Sequence, residues 1–262
     1  MKLNFPKQIV IIMLTLYVSI ATKAQTPQND VSAGDEAAPA LFKVNVGADL
    51  VSRYVWRGTD FGDSPAIQPF LSISGSNFEI GCWSSVASNS TYKEVDLYAK
   101  YTVKNISFII SDYYIPSLNG TPASPDTRYF NYNNDSTAHT FEGSVLYKGG
   151  EKFPLWLMGN VFFYGNDKRW GYDIEKDSTC KTYYSSYFEA GYTFAANENN
   201  FDVFAGFTPD CGAYGNTMGF VNVGLSAYRK ISITDQYELP VKASLIFNPQ
   251  ASNIMFVFGI TL

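Results

Sequence analysis

Glu94 and Asp96 stand one residue apart in the run "EVDLYAKYTVK". On an extended strand they share a face about 7 Å apart, and carboxylates paired near that distance do acid–base work on sugars. The single histidine, His139, opens the run "HTFEG". Beside a nucleophile it would serve acyl transfer. Cys82, Cys180 and Cys211 complete the reactive set. Each has a plainer role as well. The acidic pair fits a ladder of charges along one strand face, and a lone histidine near a loop end is more often interfacial than catalytic. No Cys/His spacing suits a metal and no glycine loop suits a phosphate. The reading is of a non-enzymatic chain with no metal and no cofactor.

The elements that carry these residues alternate. In "EVDLYAKYTVK", Val95, Leu97, Ala99, Tyr101 and Val103 take one face, against Glu94, Asp96, Tyr98, Lys100 and Thr102 on the other, the period-two pattern of a strand. In "VNVGADLVSRYVWRG", Val44, Val46, Ala48, Leu50, Tyr54 and Trp56 oppose Asn45, Asp49 and Arg53. The same pattern predicts twelve strands, over 43–56, 66–74, 78–87, 94–103, 106–116, 139–148, 153–165, 182–195, 201–208, 219–233, 237–247 and 254–262. Short polar connections (75–77, 104–105, 149–152, 197–200, 234–236) alternate with generally longer ones (57–65, 88–93, 117–138, 166–181, 209–218, 248–253). An up-and-down antiparallel barrel with tight turns at one end produces that alternation. An even strand number puts both termini on the tight-turn side, the periplasmic side of an outer-membrane barrel.

Residues 1–24 read as a secretory signal peptide: Lys2 and Lys7, the apolar run "IVIIMLTLYVSI", then small residues before Gln25. Residues 25–40, rich in Ala, Pro and acids, read as a disordered lead-in, and 41–262 as the barrel. Without the leader the chain carries 16 basic and 24 acidic residues, a net −8, which argues against a nucleic-acid partner.

Twelve strands tilted by ~40° enclose a backbone cylinder roughly 24 Å across. Apolar side chains directed inward would leave so wide a barrel unfilled, so the apolar face is expected to meet lipid and the polar face to line the lumen. The lining set is Asp49, Arg53, Glu79, Glu94, Asp96, Lys100, Glu142, Glu189 and Lys242, with Asn45, Gln68, Asn160, Asn222 and Ser244. Six acids against three bases give a weak cation preference, or else pair across the lumen and fill it. Tyr54, Trp56, Tyr113, Tyr114, Phe163, Tyr164, Trp170, Tyr183, Tyr184, Tyr228 and Tyr237 sit near strand ends, where aromatic rings favour the headgroup level. Cys82 falls on the outward parity. Cys180 and Cys211, in successive long loops, are candidates for a disulfide in an oxidising compartment.

The stretch from Leu50 to Ser85, with Val51, Ser52, Tyr54, Arg57 and Gly58, then Pro65 to Gln68, then Gly81, Cys82 and Trp83, resembles the N-terminal region of the TorF family of porin-like bacterial proteins, also named for a Gly-Cys-Trp stretch. "ELPVKASLIFNPQASNIMFVFGITL" is similar to that family's closing hairpin. The resemblance implies a Gram-negative outer-membrane β-barrel and brings no substrate or catalytic residue. Ile254, Phe256, Phe258, Ile260 and Leu262 alternate to the last residue, resembling the terminal strand read by the barrel-insertion machinery, with Leu262 where an aromatic is usual.

Two functions follow. The leading one is a narrow porin for passive diffusion of small polar solutes, with loop 117–138 as its constriction or lid. The other is a non-conducting structural or adhesive barrel whose outer loops bind a partner. Solute and oligomeric state stay open.

Overall fold

The computed structural model describes residues 42–116, 127–134, 136–168 and 182–262. The expected leader and lead-in lie outside this set, as do Trp170 and Cys180, so the expected Cys180–Cys211 pairing falls outside it too.

Fourteen strands form among the described residues: β1 (Lys43–Val51), β2 (Tyr54–Trp56), β3 (Thr59–Phe61), β4 (Ala66–Gly75), β5 (Phe78–Ala87), β6 (Lys93–Val103), β7 (Ile106–Tyr114), β8 (His139–Lys148), β9 (Leu155–Gly165), β10 (Ser186–Ala196), β11 (Asn199–Thr208), β12 (Gly219–Thr234), β13 (Tyr237–Asn248) and β14 (Asn253–Thr261). Twelve of them close an all-antiparallel barrel in sequence order. β2 and β3 make a separate two-stranded sheet. Closure comes from β1, which pairs with β4 along its whole length and with β14 through Asp49↔Thr261, Leu50↔Ile260 and Val51↔Gly259. Closure pairs the two end strands of the sheet over Ala48–Val51 of β1, removing the free edge there.

The alternation read from the sequence becomes a two-faced wall. Val44, Val46, Ile67, Ile110, Ile254 and Phe256 point out and are exposed, while Gln68, Ser85, Glu94, Glu142, Asn160 and Ser244 point in and are buried. Register fixes this across the ladders. Glu94, Asp96, Tyr98 and Lys100 of β6 oppose Ser85, Trp83, Gly81 and Glu79 of β5. Cys82 opposes Leu97 and Leu71 on the outer face. Two-residue turns join β4 to β5, β6 to β7 and β10 to β11, and Ser76, Lys104 and Asn197 there take left-handed φ of 53°, 53° and 55°. The long connections gather at the other end, as expected.

The first predicted strand is too long. It was expected to run through Trp56 and ends at Val51, and the chain then turns inward as the β2–β3 hairpin. Tyr54 and Trp56 are therefore inside the barrel and not in an outward aromatic belt. Tyr113 and Tyr228 also sit on inward register positions, opposite Asp96 and Lys242. Phe163, Tyr164, Tyr184 and Tyr237 are exposed.

Candidate functional site

The site is the long-loop mouth of the lumen and the hairpin seated in it. Between Trp56 and Thr59 the chain reverses through Arg57 and Gly58, with φ of 49° and 79°. Both lie in the left-handed region, which a two-residue primed turn demands. Glycine takes that conformation freely, but arginine pays about 1–2 kcal/mol for it. The strain persists because the side chain is anchored.

Arg57 ends in a buried cluster. Its Nη2 donates to Glu142 Oε1 at 3.0 Å, and its Nη1 makes short contacts with Glu142 Oε2 and the Tyr214 hydroxyl. Glu142 also accepts from Tyr113 Oη (3.0 Å), Tyr214 Oη (3.0 Å) and Ser144 Oγ (2.8 Å). The guanidinium lies over the rings of Trp56, Tyr187 and Tyr214 at 4.3, 4.8 and 5.2 Å. Both side chains of the ion pair are almost wholly buried, at 7% and 1% exposure. A pair so enclosed is tolerated because hydrogen bonds from Tyr113, Tyr214 and Ser144 satisfy the carboxylate, although the buried Arg57 Nε has no partner.

The rest of the hairpin touches the wall in several directions. Gly58 abuts β12, where an added Cβ would come within 1.8 Å of the Val221 carbonyl oxygen, and Asn248 Nδ2 of β13 donates to the Gly58 carbonyl at 3.0 Å. Val55 packs against Ile246, Met255 and Val257. Trp56 joins the cluster of Phe162, Tyr187, Tyr214 and Val221. Tyr54 packs on Trp83 and Tyr92, with ring centroids 5.3 and 5.8 Å apart. At the base, Arg53 pairs with Asp60 (2.6 Å) and Asp63 (2.9 Å). Arg53 is thus a strut of the hairpin and not a wall residue, which corrects its place in the expected lining.

Around this level every barrel strand but β1 contributes an inward residue that water scarcely reaches: Gln68, Ser85, Glu94, Ser111, Glu142, Asn160, Tyr187, Thr208, Val221, Ser244 and Met255. The mouth is sealed. Of the expected constriction, loop 117–138, residues 117–126 and 135 lie outside the described set. Its described part lies over the outside of the wall, where Tyr132 stacks on His139 with centroids 4.4 Å apart and Tyr164 Oη donates to the Tyr132 carbonyl at 2.6 Å. His139 is fully buried there, not interfacial, with Nδ1 2.7 Å from Asp112 Oδ1 and Nε2 2.6 Å from the Tyr129 carbonyl.

The remaining expected lining residues do face inward, in two sets. At the sealed mouth, Tyr92 Oη donates to Glu94 Oε2 at 3.0 Å, and burial followed by the Glu94 charge pushes the Tyr92 phenol up, keeping it a donor. Asp96 is buried beside Glu94, and among the described residues neither has an ion-pair partner. Glu189 accepts from Asn222 Nδ2 at 2.6 Å. Toward the tight-turn end, Lys100 pairs with Glu79, Thr261 Oγ1 donates to Asp49 at 2.6 Å, and Lys242 lies 5.4 Å over the Tyr228 ring. A pocket at that end is lined by Asp49, Asn200, Tyr228, Lys242 and Thr261 among others.

Fold and site together define a closed twelve-stranded barrel whose lumen is stoppered by its first long loop. Residues 33–144, from ahead of β1 into β8, match the model of a family described as "Bacterial protein of unknown function (Gcw_chp)". The match bears out the resemblance to the Gly-Cys-Trp family over those residues and does not extend to the TorF name. No curated protein matches the chain.

Proposed function

We propose that this chain is a bacterial outer-membrane barrel that is closed at rest. The outward face supports the membrane setting. An unbroken band of Val, Ile, Leu and Phe around the circumference far exceeds the few hundred Å² that soluble proteins leave exposed, and a closed ladder satisfies every backbone group that lipid cannot. Tight turns and both termini then face the periplasm, and the long loops face outward. The expected leader and the alternation into Leu262 fit export and insertion by the barrel-insertion machinery.

Of the two functions left open by the sequence, passive diffusion of small polar solutes needs a standing passage. The sealed ring around Arg57 and Glu142 carries the reading the other way, to a barrel that does not conduct while its hairpin is seated and whose outer loops are free to meet a partner. Purified protein inserted in planar bilayers is expected to stay silent in 1 M KCl. Stepwise currents at rest would replace this reading with that of a standing porin.

A further inference from the structure

The β2–β3 hairpin is attached to the barrel differently from every other strand pair. It forms its own sheet and shares no ladder with the wall. It is connected at its ends, through Ser52–Arg53 and through Gly62–Pro65, and both connections lie outside the barrel strands. Its departure would break no ladder of the barrel, while Ser52 and Gly62 stay tied to Phe258 and to Asn89 and Thr91.

Its seat is also unlike a permanent core. Among the described residues, the buried side-chain polar atoms without a hydrogen-bond partner are Arg57 Nε, Asp60 Oδ1, Asp96 Oδ1, Asn160 Oδ1 and Asn222 Oδ1. The first two belong to the hairpin. Asp96 lies beside Glu94 under Tyr54, Asn222 backs the wall against Gly58, and Asn160 opposes Tyr187, whose ring faces Arg57. A buried polar group left unpaired carries its full desolvation penalty. Water entering as the hairpin leaves removes that penalty at each of them, so the seated state is offset by groups that gain from opening.

Departure of Arg57 changes the charge of the mouth. Glu142 loses its cation, and Glu94, Asp96 and Glu189 have no ion-pair partner among the described residues to begin with. These four carboxylates project inward from β6, β8 and β10. Acids clustered along one arc of a constriction favour cations over anions.

We infer that the β2–β3 hairpin is a gate held shut by the Arg57–Glu142–Tyr214 contact, and that its displacement opens a passage selective for small cations. This rests on the closed-barrel reading and extends it.

The test is conductance in planar bilayers under a KCl gradient, using the full chain and four variants. Arg57→Ala and Glu142→Gln loosen the latch, Arg57→Lys keeps a cation in place, and the fourth variant has Tyr54–Phe61 replaced by a short Gly-Ser loop. Folding of each is checked by its heat-modifiable gel mobility. The wild type and Arg57→Lys are expected to stay silent. Arg57→Ala and Glu142→Gln are expected to flicker, with open time at least tenfold above wild type and a reversal potential on the cation side. The shortened chain should conduct steadily with the same preference, reduced when Glu94→Gln and Asp96→Asn are added. If the shortened chain conducts while Arg57→Ala and Glu142→Gln are both silent, the hairpin is a fixed plug; the gate is overturned and the closed barrel stands. Silence of the shortened chain overturns the gate as well, and anion-selective currents overturn the acidic passage. Standing currents in the wild type overturn the closed-barrel reading itself.

Discussion

The two halves of the lumen are lined by the same alternating strands, yet they treat charge in opposite ways. At the tight-turn half, Lys100 and Glu79 pair while keeping 32% and 22% of their side-chain surface in contact with water. At the long-loop half, Arg57 and Glu142 pair with almost none. The difference is the hairpin, which converts a wet charged wall into an interior with the polar demands of a protein core. Similar residue types are solvated in one half and structural in the other. Whether a lumen charge acts on solutes or on the fold thus depends on what covers it, not on its parity along a strand.

That contrast can be broken experimentally with one readout, the rate at which a membrane-impermeant thiol reagent modifies Cys in place of Ser85. This wall position is fully buried at the sealed mouth, and the native cysteines would first be replaced by serine. Glu142→Ala should have the largest effect. It strands the Arg57 charge, and removing one partner of a buried pair costs roughly 3–5 kcal/mol, so the labelling rate should rise at least a hundredfold. Gly58→Ala comes next. It forces an alanine to φ 79° against the Val221 carbonyl, a strain of roughly 1–3 kcal/mol, and labelling should rise by tens of fold. Asn248→Ala removes the single side-chain bond to the Gly58 carbonyl, worth about 1 kcal/mol, and should raise the rate several-fold. Lys100→Ala belongs to the other half. A partly exposed pair is worth under ~1 kcal/mol, and labelling at residue 85 should not change. A large response to Lys100→Ala would erase the distinction between the halves.

Most of the barrel was legible because its physics is local. Alternation, Gly- and Asn-rich turns and the rhythm of short and long connections located all twelve barrel strands, and strands such as 78–87 and 139–148 have the predicted bounds. The hairpin was not legible for a reason visible in the residues. Tyr54 and Trp56 continue the apolar parity of Ala48 and Leu50, so the period-two pattern runs straight through the break at Ser52 and Arg53. The available signal was the Arg57–Gly58 pair between "YVW" and "TDF", a two-residue turn with a glycine in its second place, followed closely by Gly62, Asp63, Ser64 and Pro65. The partner of Arg57 could not be read at all, since Glu142 is 85 residues away and only closure of the barrel brings them together. His139 shows the same limit. Its burial depends on residues 129–132 folding back over the outer wall, and no local pattern announces that path.

The seal itself is tested most directly by the rate at which Ser85→Cys reacts with a small cationic thiol reagent, set against Asp63→Cys, whose side chain is 83% exposed at the hairpin base. The closed mouth predicts that position 63 is modified to completion while position 85 stays unreacted, and that position 85 becomes reactive once Tyr54–Phe61 is shortened. Equal rates at the two positions in the otherwise wild-type chain would contradict it.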